Sequence, residues 1–326
     1  MDIFEERKNI KPVEYPELLK YKDAIRQSFW VHTEYQTEVQ MDIQDYKVKC
    51  TKAEQEAIKR TMLSIAQIEL PVKEFWGTVY KWFPKPEIAG VGYTFAESEV
   101  RHSDAYSFLL ELLGLDEIFL TIDQIPPLKN RMDYLKKYIQ IKADDKKDRI
   151  KKLLVFSMFI EHVSLFSQFL IMMSFRKYKN ILKGIANIVS ATSKEEQLHS
   201  NFGSALVNII KNENPDSFTD PEFQEYVKEA CQDAYETERV LLTWIFEEGE
   251  LDFLPIDSID NYIKYRFNSG LKEIGFDEIF DVDENKIAEL DWFEDKVLGV
   301  TRQDFFEARP TTYTRAQQSF TSQDLF

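Results

Sequence analysis

Cysteine is scarce in this chain: Cys50 and Cys231 are the only two in 326 residues, far apart and outside any Cys-x-x-Cys unit. A disulfide framework is thereby excluded, and free thiols in a reducing cytoplasm are expected. Helix breakers are sparse as well, with 10 glycines and 11 prolines, and no glycine-rich phosphate loop follows a predicted strand. A nucleotide substrate would therefore have to sit on a partner. Positive charge is in deficit, 41 lysines and arginines against 57 aspartates and glutamates, for a formal net charge of -16. That balance argues against nucleic-acid binding, because KADDKKDRIKK and RKYKNILK are interleaved with acids or apolar residues and read as helix surfaces. No apolar run precedes the first acidic residues, so secretion is not expected. One stretch, LLVFSMFIEHVSLFSQFLIMMSF, could imitate a membrane span, but its central Glu161-His162 and four serines predict a buried bundle helix.

Histidine is also rare, and that scarcity makes the placement of the four informative. Two of them fall in Glu99-x-x-His102 and Glu196-x-x-His199, matching pairs nearly one hundred residues apart. Residues three apart share a helix face, so each pair offers a carboxylate and an imidazole to one point in space. A lone match of this kind is common on a solvated helix in a glutamate-rich chain. Here both matches lie in strongly apolar stretches, YTFAESEVRHSDAYSFLLELLG and IANIVSATSKEEQLHSNFGSALVNII, where charged groups need a partner or a metal. Two such helices, with one further glutamate from each of two more, compose the ligand set of a four-helix dimetal site.

The further glutamates are Glu69 and Glu161. Glu69 stands at the edge of an apolar face traced by Met62, Ile65, Ile68, Val72 and Phe75. Glu161 interrupts an otherwise apolar run, where an unpaired carboxylate would be expensive. His162 points about one hundred degrees away from it on a helix and reads as a supporting or surface residue. Four carboxylates and two neutral imidazoles around two divalent ions sum to zero charge, which permits burial. Such donors suit iron or manganese; zinc would bind but would supply no redox function.

The length and the 44% hydrophobic content fit one large helical domain. Residues 1 to about 50 are expected to form an irregular arm with short helical pieces. Thr51-Lys-Ala-Glu54 is a capping box opening a long helix to about Phe83, with a kink at Pro71. The next helix spans about Pro86 to Leu113 and stops at Gly114. Further helices are expected at about 123–140 and 145–182, then from Gly184 through His199, where Thr192-Ser-Lys-Glu195 resembles a second capping box and marks a break or distortion. Later ones fall at about 220–246, 257–274 and 284–303.

Glu99-Val-Arg-His102-Ser103-Asp-Ala-Tyr106 resembles the E-x-x-H-S-x-x-Y segment of the small, radical-generating subunit of class I ribonucleotide reductase, and Glu195-Glu196-Gln-Leu-His199 resembles its second motif. The resemblance extends from Ser-Phe-Trp30 to the C-terminal tail. It implies an all-α, ferritin-like bundle over residues 1–305, followed by a tail, 306–326, that docks on a large catalytic subunit. It also implies six metal ligands, Glu69, Glu99, His102, Glu161, Glu196 and His199, the set already picked from charge and packing. Trp30, Glu195 and the tail's Tyr313 take the family's places for radical transfer, and Tyr106 takes that of the radical tyrosine. The implied partners are a second copy of the chain, the large subunit that reduces ribonucleotides, and a flavoprotein activator as an optional helper; no nucleic acid or membrane is implied.

Two positions depart from the family. Glu69 stands where many tyrosyl-radical members have aspartate, and Glu195 stands where aspartate usually links tryptophan to the metal-bound histidine. A glutamate at the first position resembles members that keep the oxidant on the metals, so a dimanganese centre is the expectation, with Fe/Fe or Mn/Fe as alternatives. Competing functions are a ligand-binding oxidase or hydroxylase using the same six residues, an iron-storage cage using the bundle as an oxidation site, and a non-enzymatic helical interaction protein that keeps the acidic face and tail and does not need the ligands.

Overall fold

The computed structural model describes residues 2–139 and 142–299. Among them there is no sheet, only a single bridge between Leu251 and Leu254. Nine principal helices carry the architecture: α1 Leu19–Gln27, α2 Gln36–Lys49, α3 Lys52–Thr78, α4 Pro86–Leu113, α5 Pro126–Ile139, α6 Lys146–Lys179, α7 Lys183–Glu213, α8 Pro221–Ile245 and α9 Ile256–Glu273. At the centre α3 packs along α4, and α6 and α7 close the other side; α1 lies on α4, α2 on α7, α5 on α8, and α9 covers the middle of α6.

The ends of the central helices follow from local chemistry. Thr51 accepts from the Glu54 amide at 3.3 Å while the Glu54 carboxylate accepts from the Thr51 amide at 2.8 Å, so the capping box forms and starts α3. Gly114 ends α4 in the left-handed conformation, φ 69°, which costs glycine least. Pro71 lies inside α3, which continues as helix to Thr78 and then tightens into a 3-10 turn at Val79–Lys81, short of Phe83.

Three expectations are corrected. The first fifty residues are not mainly irregular, because α2 is a 14-residue helix fastened to the bundle. Its buried Asp42 accepts from the Ile185 amide at 2.8 Å, satisfying a donor at the start of α7; burial pushes that carboxyl up to about 6 despite the backbone bonds it receives. The capping box at Thr192 does not break α7, since Thr192 and Ser193 donate back to the Ile188 and Ser190 carbonyls at 3.1 Å each and leave the helix continuous. The segment at 284–303 is not one helix over its described part. It divides into turns at Glu284–Ala288, Asp291–Glu294 and Asp295–Gly299; residues from 300 on lie outside the described set.

Helix α6 is long and apolar enough to cross a membrane by length and composition, with a mean hydropathy of 1.6 in its most apolar window, yet that window is wholly buried in protein. Within it, Phe156–Ser164 winds as a π-helix, and Ser164 donates to the Phe159 carbonyl at 3.1 Å. Such wide turns re-aim side chains and recur at functional sites. Here the wide turn carries Glu161.

Facing this turn, Gly203 of α7 sits so close to Ser157 that a Cβ would overlap the serine side chain. Replacing Gly203 with Ala is expected to destabilise the fold by about 1–3 kcal/mol through overpacking. Thermal unfolding followed by circular dichroism should show a lower midpoint, partly restored by adding Ser157→Gly; an unchanged midpoint in the single variant would show that α6 and α7 are not in close register there.

Candidate metal centre

The four central helices aim their anomalous charges at one point. Glu69 comes from α3, Glu99 and His102 from α4, Glu161 from the π turn of α6, and Glu196 and His199 from α7. All six are buried, none more than 2% exposed. They form two overlapping groups, Glu69 with Glu99 and His102, and Glu99 with Glu161, Glu196 and His199; within each group one ligand atom per residue lies within 4.8 Å of all the others. Glu99 belongs to both groups.

Both histidines present Nδ1 to this cluster. The His102 Nδ1 lies 3.0 Å from Glu196 and 3.3 Å from Glu99, and the His199 Nδ1 lies 2.9 Å from Glu99, 3.3 Å from Glu196 and 3.5 Å from Glu161. Although close, these atoms are not aligned as hydrogen bonds: both oxygens of Glu69 and of Glu99, one of Glu161, one of Glu196 and both Nδ1 atoms are buried without a hydrogen-bond partner. Buried oxygen and nitrogen donors that converge on a common centre and not on one another fit divalent ions, whose charge would also balance four carboxylates.

The electrostatics carry the same tension. Burial pushes Glu69 well above the usual carboxylate range, with neighbouring Glu99 and Glu196 adding to it, and burial together with Glu196 does the same to Glu161. Against the cost of burial, their carboxylate neighbours hold His102 and His199 well above the ordinary imidazole value. Glu196, with both imidazoles close beside it, is held low in spite of its burial. Protons on the first four groups are what a bound metal would displace.

Outside the cluster each donor is steadied by a neighbour. His102 Nε2 meets Glu195 at 2.8 Å and His199 Nε2 meets the Ser98 hydroxyl at 3.0 Å, which leaves both Nδ1 atoms to the centre. The Trp76 indole donates to Glu161 at 2.7 Å, and the Trp76 and Phe95 rings pack around His199 with centroids 5.8 and 4.2 Å away.

Glu195 is a hub. Fully buried, it accepts from Trp30 Nε1 at 3.1 Å, from Ser28 at 3.3 Å and from two Arg101 nitrogens at 3.2 Å each, besides meeting His102. Against the cost of burial, His102 and Arg101 keep it ionised. Trp30 also stacks on His102, with centroids 6.0 Å apart and planes at 21°. An unbroken chain of contacts therefore runs from the cluster through His102 and Glu195 to Trp30.

Tyr106 is buried four residues beyond His102; burial, and then Glu69, push its phenol up. Its hydroxyl makes no aligned hydrogen bond, and the neighbouring Thr192 hydroxyl serves the Ile188 carbonyl instead. Glu69 and Tyr106 line a cavity of about 350 Å³ together with Lys73, Ser103 and the exposed Leu120. His162 is not at the surface: it is buried against Ser200 at 2.8 Å, and its carbonyl accepts from Arg266. Tyr313 lies outside the described residues.

Sequence reasoning had not singled out Trp76, Ser98 and Arg101. Trp76 was detectable, being seven residues, two turns, beyond Glu69 on one face. Arg101, inside Glu99-Val-Arg-His102, could be connected to Glu195 only through the fold.

A profile of the family "Ribonucleotide reductase, small chain" matches residues 7–286. Among curated proteins, the chain is 24% identical to the probable ribonucleoside-diphosphate reductase small subunit 048L of Invertebrate iridescent virus 3, over 95% of this chain and 85% of that protein. It is 25% identical to the ribonucleoside-diphosphate reductase subunit beta of Chlamydia pneumoniae, over 73% and 70%. Among solved structures, a putative class I ribonucleotide reductase from Bacillus halodurans superposes with a TM-score of 0.77 at 18% identity, over 85% of this chain and 99% of that one. The dimanganese(II)-NrdF of Streptococcus sanguinis gives 0.73 at 16% identity, over 87% and 97%. These likenesses identify the same all-α, ferritin-like bundle. With its profile match spanning most of the sequence and its paired Glu-x-x-His helices converging on one buried carboxylate and imidazole cluster, the chain belongs to the ribonucleotide reductase small-chain family.

Proposed function

We propose that this chain is the radical-generating small subunit of a ribonucleoside-diphosphate reductase, working as a cytoplasmic homodimer with a separate large subunit that binds and reduces the nucleotide. The observation that carries this reading is the contact chain His102–Glu195–Trp30 leading out of the cluster. A storage site or a self-contained oxidase has no use for a buried indole wired to a metal-facing imidazole.

Glu69, Glu99, His102, Glu161, Glu196 and His199 would hold two metal ions, manganese in the preferred reading and Fe/Fe or Mn/Fe as alternatives. When bound and activated by an oxygen species, the pair supplies one oxidising equivalent to the protein. The chain's own residues then direct it. Glu195 holds the His102 ring and the Trp30 indole in one line and stabilises positive charge passing between them. Arg101 keeps that carboxylate ionised, and the rings of Trp76, Phe95 and Phe202 pack together beside His199. The cavity beside Glu69 suits entry of the small activating species, with or without a flavoprotein supplying it.

Glu69 in place of aspartate supports storage on the metals and not on Tyr106. In the manganese-loaded, activated protein, electron paramagnetic resonance is expected to show a signal split by two manganese nuclei without a separate tyrosyl signal. Tyr106→Phe should keep that signal and most of the nucleotide reduction. Trp30→Phe should keep the signal and lose turnover by about a hundredfold or more, as removal of a step in a single route requires. A narrow organic signal lost together with activity in Tyr106→Phe would move the stored radical to the tyrosine.

Residues 306–326 form the proposed docking tail, with Tyr313 relaying the oxidising equivalent and Phe320, Leu325 and Phe326 as apolar anchors for a groove on the large subunit. Truncation after residue 305 should abolish complex formation in sedimentation and leave metal content unchanged. Full nucleotide reduction by the truncated protein would reject the tail's role.

A further inference from the structure

Trp30 is buried at 4% exposure and has aromatic neighbours on two sides. Inward it stacks on fully buried His102. Outward it meets Tyr35, with ring centroids 6.2 Å apart and planes at 59°. Tyr35 closes the 3-10 turn His32–Tyr35; it is half-buried, packed against the core along one edge. The Glu34 carboxylate accepting from the Val31 amide at 3.2 Å, and the Glu34 amide donating to the Val31 carbonyl at 3.1 Å, fasten this turn beside Trp30. Among the described residues, Tyr35 is the one oxidisable phenol in ring contact with Trp30.

We propose that Tyr35 is a further station for the oxidising equivalent, one step beyond Trp30 and nearer the surface. This rests on the relay reading above and extends it to a residue outside the family motifs. In the step, oxidised Trp30 takes one electron from Tyr35 and returns to its closed-shell state. The Tyr35 O–H bond breaks, its proton passes to an acceptor beside the half-buried phenol and from there to solvent, and a neutral phenoxyl radical remains. Two features drive the charge outward. The Arg101 guanidinium, 5.9 Å from the Trp30 ring centre, offsets the Glu195 carboxylate that accepts from Trp30 Nε1 at 3.1 Å, so positive charge on the indole gains little net stabilisation. The phenoxyl, having shed its proton, carries no charge for that cation to repel.

The test places 3-aminotyrosine, a more easily oxidised analogue, at position 35 in full-length protein and follows electron paramagnetic resonance after metal loading and activation. The expected result is an aminotyrosyl signal that grows as the metal signal decays and that is lost when Trp30→Phe is added. A metal signal that forms while no aminotyrosyl signal follows overturns the Tyr35 proposal alone. Persistence of the aminotyrosyl signal in the Trp30→Phe background also overturns it, because the route would then bypass the indole. Failure of any oxidised signal to form, on the metals or on Tyr106, overturns the underlying relay reading, and this step with it. In parallel, Tyr35→Phe should leave the thermal midpoint and the metal signal unchanged and lower nucleotide reduction with the large subunit by about tenfold or more. Unchanged turnover in that variant would overturn an obligatory station.

Discussion

Four carboxylates held together inside an apolar bundle constrain everything around them. Removed from water and from one another's hydrogen bonds, they repel, and the interior offers too little to compensate. Burial drives Glu69 and Glu161 toward protonation, while His102 and His199 are driven toward holding protons. The cluster is thus poised to exchange protons for metal charge. The surrounding fold must be stable enough to hold these groups in place without that charge, and the large helical core supplies this. Phe75 and Phe156 stack at 3.5 Å, and Trp76 packs on Phe95 and donates to Glu161 at 2.7 Å.

Glu195 resolves a second conflict at the same place. A buried carboxylate beside the cluster would add to the repulsion, yet Arg101 neutralises it and three further donors, from Trp30, Ser28 and His102, spread its charge. The same arrangement fixes the His102 ring so that Nδ1 faces the centre, and it links that ring to an indole at the edge of the core. Its side chain is one methylene longer than the family's usual aspartate and still meets both the histidine and the tryptophan. The substitution alters reach without severing the connection.

The parts of this molecule legible in the sequence are those where one helix explains itself. Periodicity and caps locate α3 and α4 because Thr51, Glu54 and Gly114 act within a few residues of where they stand. The converging carboxylates are legible for a related reason: Glu161 in an apolar run, or a glutamate-histidine pair on a buried face, is costly unless something pairs with it. What escaped depends on distant contacts. Asp42 makes α2 an integral helix by reaching the start of α7, and the Thr192 and Ser193 hydroxyls serve carbonyls behind them instead of amides ahead. Ser98 and Arg101 acquire their roles only when α7 closes on α4. The π turn at Glu161 is likewise invisible in composition, since its residues read as ordinary helix formers.

The central claim, that the six convergent donors hold a pair of redox metal ions, is tested most directly by anomalous diffraction from crystals of protein grown with manganese or iron and recorded on either side of each metal edge. The account predicts two anomalous peaks per chain, one among Glu69, Glu99 and His102 and the other among Glu99, Glu161, Glu196 and His199, each vanishing below its own edge. A cluster without anomalous density, or a single ion held away from Glu99, would contradict it.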